Sequence, residues 1–161
     1  MFVAAAAMLL ASCGKDNSDL ENNQLRYDGT VYNMQSTAMC DAMGYINFTS
    51  EGRDADFSIY GNFEKDALNR TYNLAVAADD VHYNIDFVSE ALALNFSYDN
   101  NHGAFYGGME GVERGMSIFS KGTCSVTNDN DGFLLTLDGT LKNGKEIAFK
   151  TYVPKDQVQT M

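Results

Sequence analysis

The stretch GTCSVTNDNDGFLLTLDGTLKNGKEIAFKTYVP, residues 122–154, decides the fold class. Apolar and polar residues alternate in three runs within it, which is the period-two pattern of β-strands that bury one face. The runs are Gly122–Thr127, Phe133–Leu137 and Glu146–Tyr152. Turn-forming residues separate them at Asp129–Gly132 and at Asn143-Gly144. Pro154 ends the last run because proline donates no hydrogen bond to a ladder. The stretch predicts three consecutive antiparallel strands.

The same alternation continues upstream as far as Tyr27. Four further runs show it: Asp56–Phe63, Thr71–Ala77, Val81–Val88 and Ala91–Tyr98. In the first run Phe57, Ile59 and Phe63 share one face, and polar residues take the other. The short turn at Ser89-Glu90 predicts a hairpin between the last two runs. Met34–Met43 lacks this pattern and is predicted to form one or two helical turns.

Counting segments in this way predicts an all-β chain of about nine or ten strands. That number is too large for one open antiparallel sheet with a solvent-exposed face, so we expect the sheet to fold over itself or to close into a barrel. The predicted fold is an antiparallel β-sandwich. A lipocalin-like up-and-down β-barrel is the alternative, because alternation does not distinguish the two closures.

The charge balance narrows the range of partners. The chain has 22 acidic and 11 basic side chains and a formal net charge of -11 at pH 7. Such a charge repels phosphate backbones, so we expect no nucleic-acid partner. The length of 161 residues is typical of one domain with a real hydrophobic core.

The first thirteen residues indicate where the protein resides. Met1–Ala11 is an uncharged run of small and apolar residues, and Leu10-Ala11-Ser12-Cys13 closes it. This sequence resembles the lipobox of bacterial lipoprotein signal peptides, in which the cysteine is lipidated and becomes the new amino terminus. The resemblance implies that residues 1–12 are a signal peptide and that the lipid on Cys13 attaches the protein to a membrane. No Lys or Arg precedes Cys13, so we expect the natural start to lie upstream.

Residues 13–25 are predicted to be the lipidated cysteine and an acidic disordered tether, because the segment is polar and has no aromatic residue. Residues 26–161 are predicted to be a single β domain. Acidic residues shortly after the cysteine are similar to the surface-export signal of Bacteroidetes lipoproteins. The whole layout resembles the small surface lipoproteins of gut Bacteroidetes. This resemblance implies an outer-membrane protein that is exposed at the cell surface, with a periplasm-facing position as the alternative.

Two cysteines remain if Cys13 carries lipid. Cys40 and Cys124 then form an even pair in a compartment that permits disulfides. A bridge between them closes a long loop and is worth roughly 4 to 5 kcal/mol in the chain-entropy account. The alternative is a pair of small buried thiols.

No pattern of residues identifies a catalytic or metal site. His82 and His102 lie on different predicted elements and have no neighbour at ligand spacing, so the sequence predicts neither a zinc site nor a catalytic triad. An EF-hand alignment on Gly132 fails because Thr127 falls at the first ligand position. We therefore expect a protein without metal, cofactor or enzymatic activity. A cryptic extracytoplasmic hydrolase that uses two carboxylates is an alternative, since their separation is spatial rather than sequential.

Recognition is the function class that the sequence favours. Gly103–Gly115 is the most glycine-dense stretch of the chain, and loops on a rigid scaffold carry function disproportionately. Its candidate recognition residues are Phe105, Tyr106, Met109, Glu110 and Arg114. Tyr60 and Tyr152 are further aromatic residues predicted outside the core. A glycine-kinked edge strand is the structural alternative for this stretch.

These observations together predict a lipid-anchored, non-enzymatic binding or adhesion module with a glycan or protein ligand. A lipocalin-like carrier of a small apolar ligand is the alternative that a barrel would allow.

Overall fold

A computed structural model describes residues 19–75, 83–89, 91–92, 94–99, 104–107 and 117–160, with the backbone alone at Tyr83, 94–99 and 104–107. The strands are β1 (Gln24–Tyr27), β2 (Thr30–Cys40), β3 (Ile46–Gly52), β4 (Ser58–Phe63), β5 (Arg70–Asn73), β6 (Tyr83–Ser89), β7 (Leu94–Asp99), β8 (Ala104–Gly107), β9 (Phe119–Asn128), β10 (Gly132–Leu141), β11 (Glu146–Pro154) and β12 (Gln159–Thr160). Short 3-10 helices occupy Lys65–Ala67 and Lys155–Gln157.

All twelve strands belong to one sheet, in the order β5-β9-β10-β11-β1-β2-β3-β4-β6-β7-β8, with β12 paired to β2. Every pairing is antiparallel except that of β12 with β2. Strand β2 divides the sheet, because residues 30–33 pair with β1 and residues 34–40 pair with β3. We call the strands from β5 to β1 half A and the strands from β3 to β8 half B.

The two halves pack face to face as the sheet curls. The rings of Phe48 on β3 and Phe133 on β10 meet edge to face, with centroids 6.3 Å apart. Beside them the hydroxyls of Ser50 on β3 and Thr151 on β11 are hydrogen-bonded at 3.0 Å, which satisfies two buried polar groups. The interior is closely filled by aromatic and aliphatic side chains, among them Phe48, Phe63, Phe87, Phe119 and Phe149, all nearly inaccessible to water.

The predicted all-β antiparallel class is therefore confirmed. Because the sheet is continuous through β2, it forms a curled half-barrel, which fits the barrel alternative better than two separate sheets. The three strands predicted in residues 122–154 are β9, β10 and β11, and they are consecutive in the sheet. The predicted hairpin around Ser89 is also confirmed, since β6 pairs with β7.

The predicted turns have the expected local chemistry. Gly144 has a φ of 86°, which glycine adopts without steric cost, and the side-chain oxygen of Asn143 accepts the N–H of Lys145. At the other turn Asp129 Oδ1 accepts the N–H groups of Asp131 and Gly132 at 2.8 and 2.9 Å. The Asp-rich segment before β10 is thus a hydrogen-bonded turn.

The helical prediction for Met34–Met43 is wrong. Residues 34–40 belong to β2, whose inward residues include Met34 and Ala38. Ser36 also points inward but is polar, so the inward residues of β2 do not form a continuous apolar series. The Ser36 hydroxyl bonds to the hydroxyl of Ser50 at 2.8 Å. A hydroxyl that finds a partner in the core substitutes for an apolar residue without appearing in a hydrophobic pattern.

The folded domain also begins earlier than residue 26. Leu25 on β1 is completely buried, and Leu20 is 4% exposed. The Asp19 carboxylate pairs with the Arg26 guanidinium, whose side chain is 5% exposed. Tyr152 N–H donates to Asn23 Oδ1 at 2.8 Å. Residues 19–23 are therefore part of the domain and lie on the outer face of half A.

Candidate functional site

The outer face of half B carries a cluster of polar side chains. Strand alternation produces it: Ile59, Gly61 and Phe63 point into the core from β4, so Tyr60 and Asn62 point outward. The same rule applies on β3 and β6. The outward residues of the three strands that line one shallow pocket are Asn47, Thr49, Tyr60, Asn62, Asn84 and Asp86. We call these six residues the Tyr60 face.

Register places the six residues in two rows that run across the strands. One row is Asn47, Asn62 and Asn84, and the other is Thr49, Tyr60 and Asp86. Neighbouring strands lie about 4.8 Å apart, so each row spans about 10 Å. The pocket between the rows has a volume of about 180 Å³. Three adjacent strands thus present a compact set of hydrogen-bonding groups.

The groups of the Tyr60 face are held partly by one another. Asn62 Nδ2 donates to Asn47 Oδ1 at 2.5 Å, which fixes the orientation of both amides. Each amide still has further donor and acceptor capacity, because a carboxamide carries two N–H donors and an oxygen with two lone pairs. Tyr60 is 44% exposed and is one of the few large hydrophobic residues on the described surface. Asp86 supplies the one formal charge among the six residues.

A second pocket, of about 250 Å³, lies on the outer face of half A and carries charges of both signs, including Lys121, Asp138 and Glu146. A surface with mixed charges at the strand ends is typical of solvated sheet, and its residues do not converge on one chemistry.

A third pocket, of about 260 Å³, lies between the loop at Met43–Tyr45 and the 3-10 helix at Lys65. Its polar groups are occupied by loop structure. Asp41 Oδ1 accepts the N–H groups of Met43 and Tyr45, and the Tyr45 hydroxyl donates to Glu64 at 2.7 Å. That hydrogen bond, together with burial and the nearby carboxylates, raises the pKa of Tyr45. These groups stabilise the loop rather than point to a ligand.

The predicted Cys40–Cys124 bridge is not formed, because both cysteines are free. Cys124 on β9 is buried in half A, and β10, β11 and β1 separate it from β2, which carries Cys40. Burial raises the pKa of Cys124 and, with a smaller contribution from Asp41, that of Cys40. Cys124 agrees with the alternative of a small buried thiol, whereas Cys40 is only partly buried.

The predicted recognition residues lie at the limit of the described chain. Phe105 and Tyr106 belong to β8, which pairs with β7 and lies at the end of the order of the described strands. Met109, Glu110 and Arg114 lie outside the described residues, as do Cys13, His82 and His102. The register places Tyr106 opposite Ser97, which is opposite Asp86. Tyr106 is thus on the same cross-strand row as Tyr60.

Of the other aromatic candidates, Tyr152 donates its hydroxyl to Asp131 O at 3.1 Å on half A. Alternation within β4 and β6 places Tyr60, Asn62, Asn84 and Asp86 on polar strand faces, but it does not show that the two strands are neighbours. The sequence does not predict β3, so it gives no position for Asn47 and Thr49. A signal was present in Ile46, Phe48 and Ser50, an inward series that ends on a polar residue.

Comparison with known proteins finds no match: no protein-family model, no curated protein and no solved structure is significantly similar to the chain. In the part of the chain that the structure describes, no group of three His, Cys, Asp or Glu side chains is arranged to hold a metal ion. Among the same residues, no helix has both the length and the apolar character needed to cross a bilayer.

Proposed function

We propose that the protein is a lipid-anchored lipoprotein of the outer membrane, exposed at the cell surface, whose domain is a non-enzymatic binding module. The Tyr60 face carries the proposal. It combines an exposed aromatic ring with convergent amides and a hydroxyl in one pocket, which is the composition of a recognition surface rather than of solvated sheet. The anchoring part rests on Leu10-Ala11-Ser12-Cys13.

The position of the first described residues supports this arrangement. Residues 19–23 lie on the outer face of half A, whereas the Tyr60 face is the outer face of half B. Six residue steps separate Cys13 from Asp19, and they span at most about 20 Å. A lipid on Cys13 would therefore hold half A near the membrane, and the Tyr60 face would point away from it.

A lipocalin-like carrier is less well supported. Carriers of that kind need an internal cavity, whereas the described core between the two halves holds large buried side chains such as Phe48, Phe63 and Phe149. The three pockets described above are open at the surface.

The anchoring part is tested by replacing Cys13. Expressed from its complete gene, the Cys13→Ala variant should lose fatty-acid labelling and move from the membrane fraction to the soluble fraction. Cys40→Ala is the matched control and should remain on the membrane, because Cys40 lies within β2. Surface exposure is measured by protease treatment of intact cells. A Cys13→Ala protein that stays membrane-bound and fatty-acid labelled contradicts the proposal.

A further inference from the structure

We infer that the Tyr60 face binds an uncharged, hydroxyl-rich oligosaccharide whose chain runs across strands β3, β4 and β6. This inference rests on the proposed binding function and names its ligand class. It moves the recognition site from the glycine-rich stretch to a rigid part of the sheet.

The hydrogen-bonding groups of the face match hydroxyl groups. A sugar hydroxyl donates one hydrogen bond and accepts up to two. Side-chain amides and hydroxyls can serve as both its acceptors and its donors. The row Asn47, Asn62 and Asn84 supplies three amides, and Thr49 supplies a hydroxyl. The hydrogen bond between Asn62 and Asn47 orients two of these amides before a ligand arrives. Preorganised groups lose less entropy on binding.

Tyr60 provides the apolar complement. A sugar ring has a face of C–H groups as well as an edge of hydroxyls, and an exposed tyrosine presents a flat apolar ring with a polar tip. Tyr60 is 44% exposed and stands between Thr49 and Asp86 in its row. A ring that stacks on Tyr60 therefore has hydrogen-bonding groups within about 5 Å on both sides.

The charges on the face select against ionic ligands. None of its six residues is Lys or Arg, and Asp86 is the only one with a formal charge. The whole chain carries a net charge of -11. Phosphorylated, sulfated or uronic-acid ligands would find no cation and would be repelled. A neutral ligand avoids that cost, while the Asp86 carboxylate can accept hydrogen bonds from hydroxyls.

The direction of the ligand follows from the register. The polar groups succeed one another across strands at about 4.8 Å, so an extended chain that follows a row meets a new group at each strand. The three strands β3, β4 and β6 make a track of about 10 Å, so affinity should rise with oligosaccharide length over that distance.

The inference is tested by affinity electrophoresis of the mature domain in native gels that contain neutral polysaccharides (glycogen, xylan or galactomannan) or anionic ones (polygalacturonate or heparin). At least one neutral polysaccharide should retard the protein, and neither anionic one should. Tyr60→Ala should weaken the retardation at least tenfold and Asn62→Ala several-fold. Tyr60→Phe should keep most of it, because the ring remains. Tyr152→Ala, on the opposite half, is the matched control and should bind normally.

Failure to bind any of the three neutral polysaccharides overturns the inference, and so does binding that survives Tyr60→Ala. Circular dichroism and thermal melts of each variant separate lost binding from lost folding. If the face instead captures a protein in a Tyr60-dependent way, the proposed binding function stands and the glycan inference is wrong. If glycan binding is found while the protein stays soluble in cells, the anchoring proposal fails alone.

Discussion

The outer faces of the two sheet halves differ in what covers them. On half A, residues 19–23 lie over the sheet, Leu20 is buried against it, and the Arg26 guanidinium is nearly enclosed beside Asp19. On half B, the outward residues of β3, β4 and β6 line an open pocket, and they include the exposed Tyr60 and a single charged residue, Asp86. On both halves, the outward residues alternate along each strand with inward residues that belong to one core.

If the Tyr60 face binds a ligand as proposed, the two outer faces of one curled sheet have different tasks. Polar groups on half A are used in contacts within the chain, so their removal should cost stability. On the Tyr60 face Asn62 bonds to its neighbour Asn47, and Tyr60 is 44% exposed, so replacing these residues should cost mainly binding. Mutations that change stability and mutations that change binding should therefore map to opposite sides of the molecule.

The largest effect is expected where the two halves meet. Phe48 is 2% exposed and packs against Phe133 of half A. Phe48→Ala should lower the free energy of unfolding by about 3 to 5 kcal/mol, because it leaves a cavity in a dense core. Urea unfolding followed by circular dichroism measures this loss. Thr49→Ala, the next residue on the outer face, is the control and should change stability by less than about 0.5 kcal/mol.

Both Phe48→Ala and the parent should unfold in a single transition, since β2 is shared by the two halves. Two separate transitions would show that the halves are independent units, and the division of tasks would then reflect two domains rather than two faces.

A smaller effect is expected on the covered face of half A. Arg26→Ala should lower the free energy of unfolding by about 2 kcal/mol, because it removes the buried side-chain stem and the charge-assisted bond to Asp19. Lys145→Ala is the matched control. Lys145 pairs with Asp28 at 3.5 Å, but both side chains are about half exposed, so its loss should cost much less stability than the loss of Arg26. Equal costs for the two variants would mean that residues 19–23 do not cover this face.

The smallest effect is expected at Cys124, which is buried on the inner face of half A. Burial holds the pKa of Cys124 well above its ordinary value of about 8.5. Above that pH the unfolded chain loses the thiol proton while the folded protein keeps it, so stability falls as pH rises. The slope is about 1.4 kcal/mol per pH unit.

Cys124→Ala should be less stable at pH 7 but should lose less stability than the parent between pH 8.5 and 10. Chemical denaturation at several pH values measures the difference in slope, and Cys40→Ala serves as the partly exposed control. Identical slopes for Cys124→Ala and the parent would show that water reaches the thiol.

The parts of the fold that could be predicted are those whose inward residues are all apolar. Phe57, Ile59 and Phe63 revealed β4, and Ile85 and Phe87 revealed β6. Strand β2 was missed because Ser36 points inward and bonds to Ser50, an arrangement that needs both strands to be in place. A hydrophobic pattern indicates which residues of one strand are buried. It does not indicate that two buried polar residues on different strands are hydrogen-bonded to each other.

The same reason limits prediction of the candidate site. The outward positions of Tyr60 and Asn84 follow from alternation within their own strands. Their adjacency depends on the order β3-β4-β6, in which the chain leaves half B after β4 to add β5 to half A before β6 returns. No turn-forming residues in the sequence indicate that the chain crosses from half B to half A and back. The site was therefore visible in the sequence as separate polar residues but not as a cluster.

The pairing of β1 with β11 has a consequence for how the protein reaches its folded state. Gln24 lies opposite Lys150, so 126 positions of sequence separate partners that touch in the finished sheet. Contacts of such long range form slowly, because the chain must close a large loop before they stabilise it. If the chain is exported amino terminus first, β1 crosses the membrane long before its partner. Half A would then stay open until the last strands follow, and folding would be completed only on the far side.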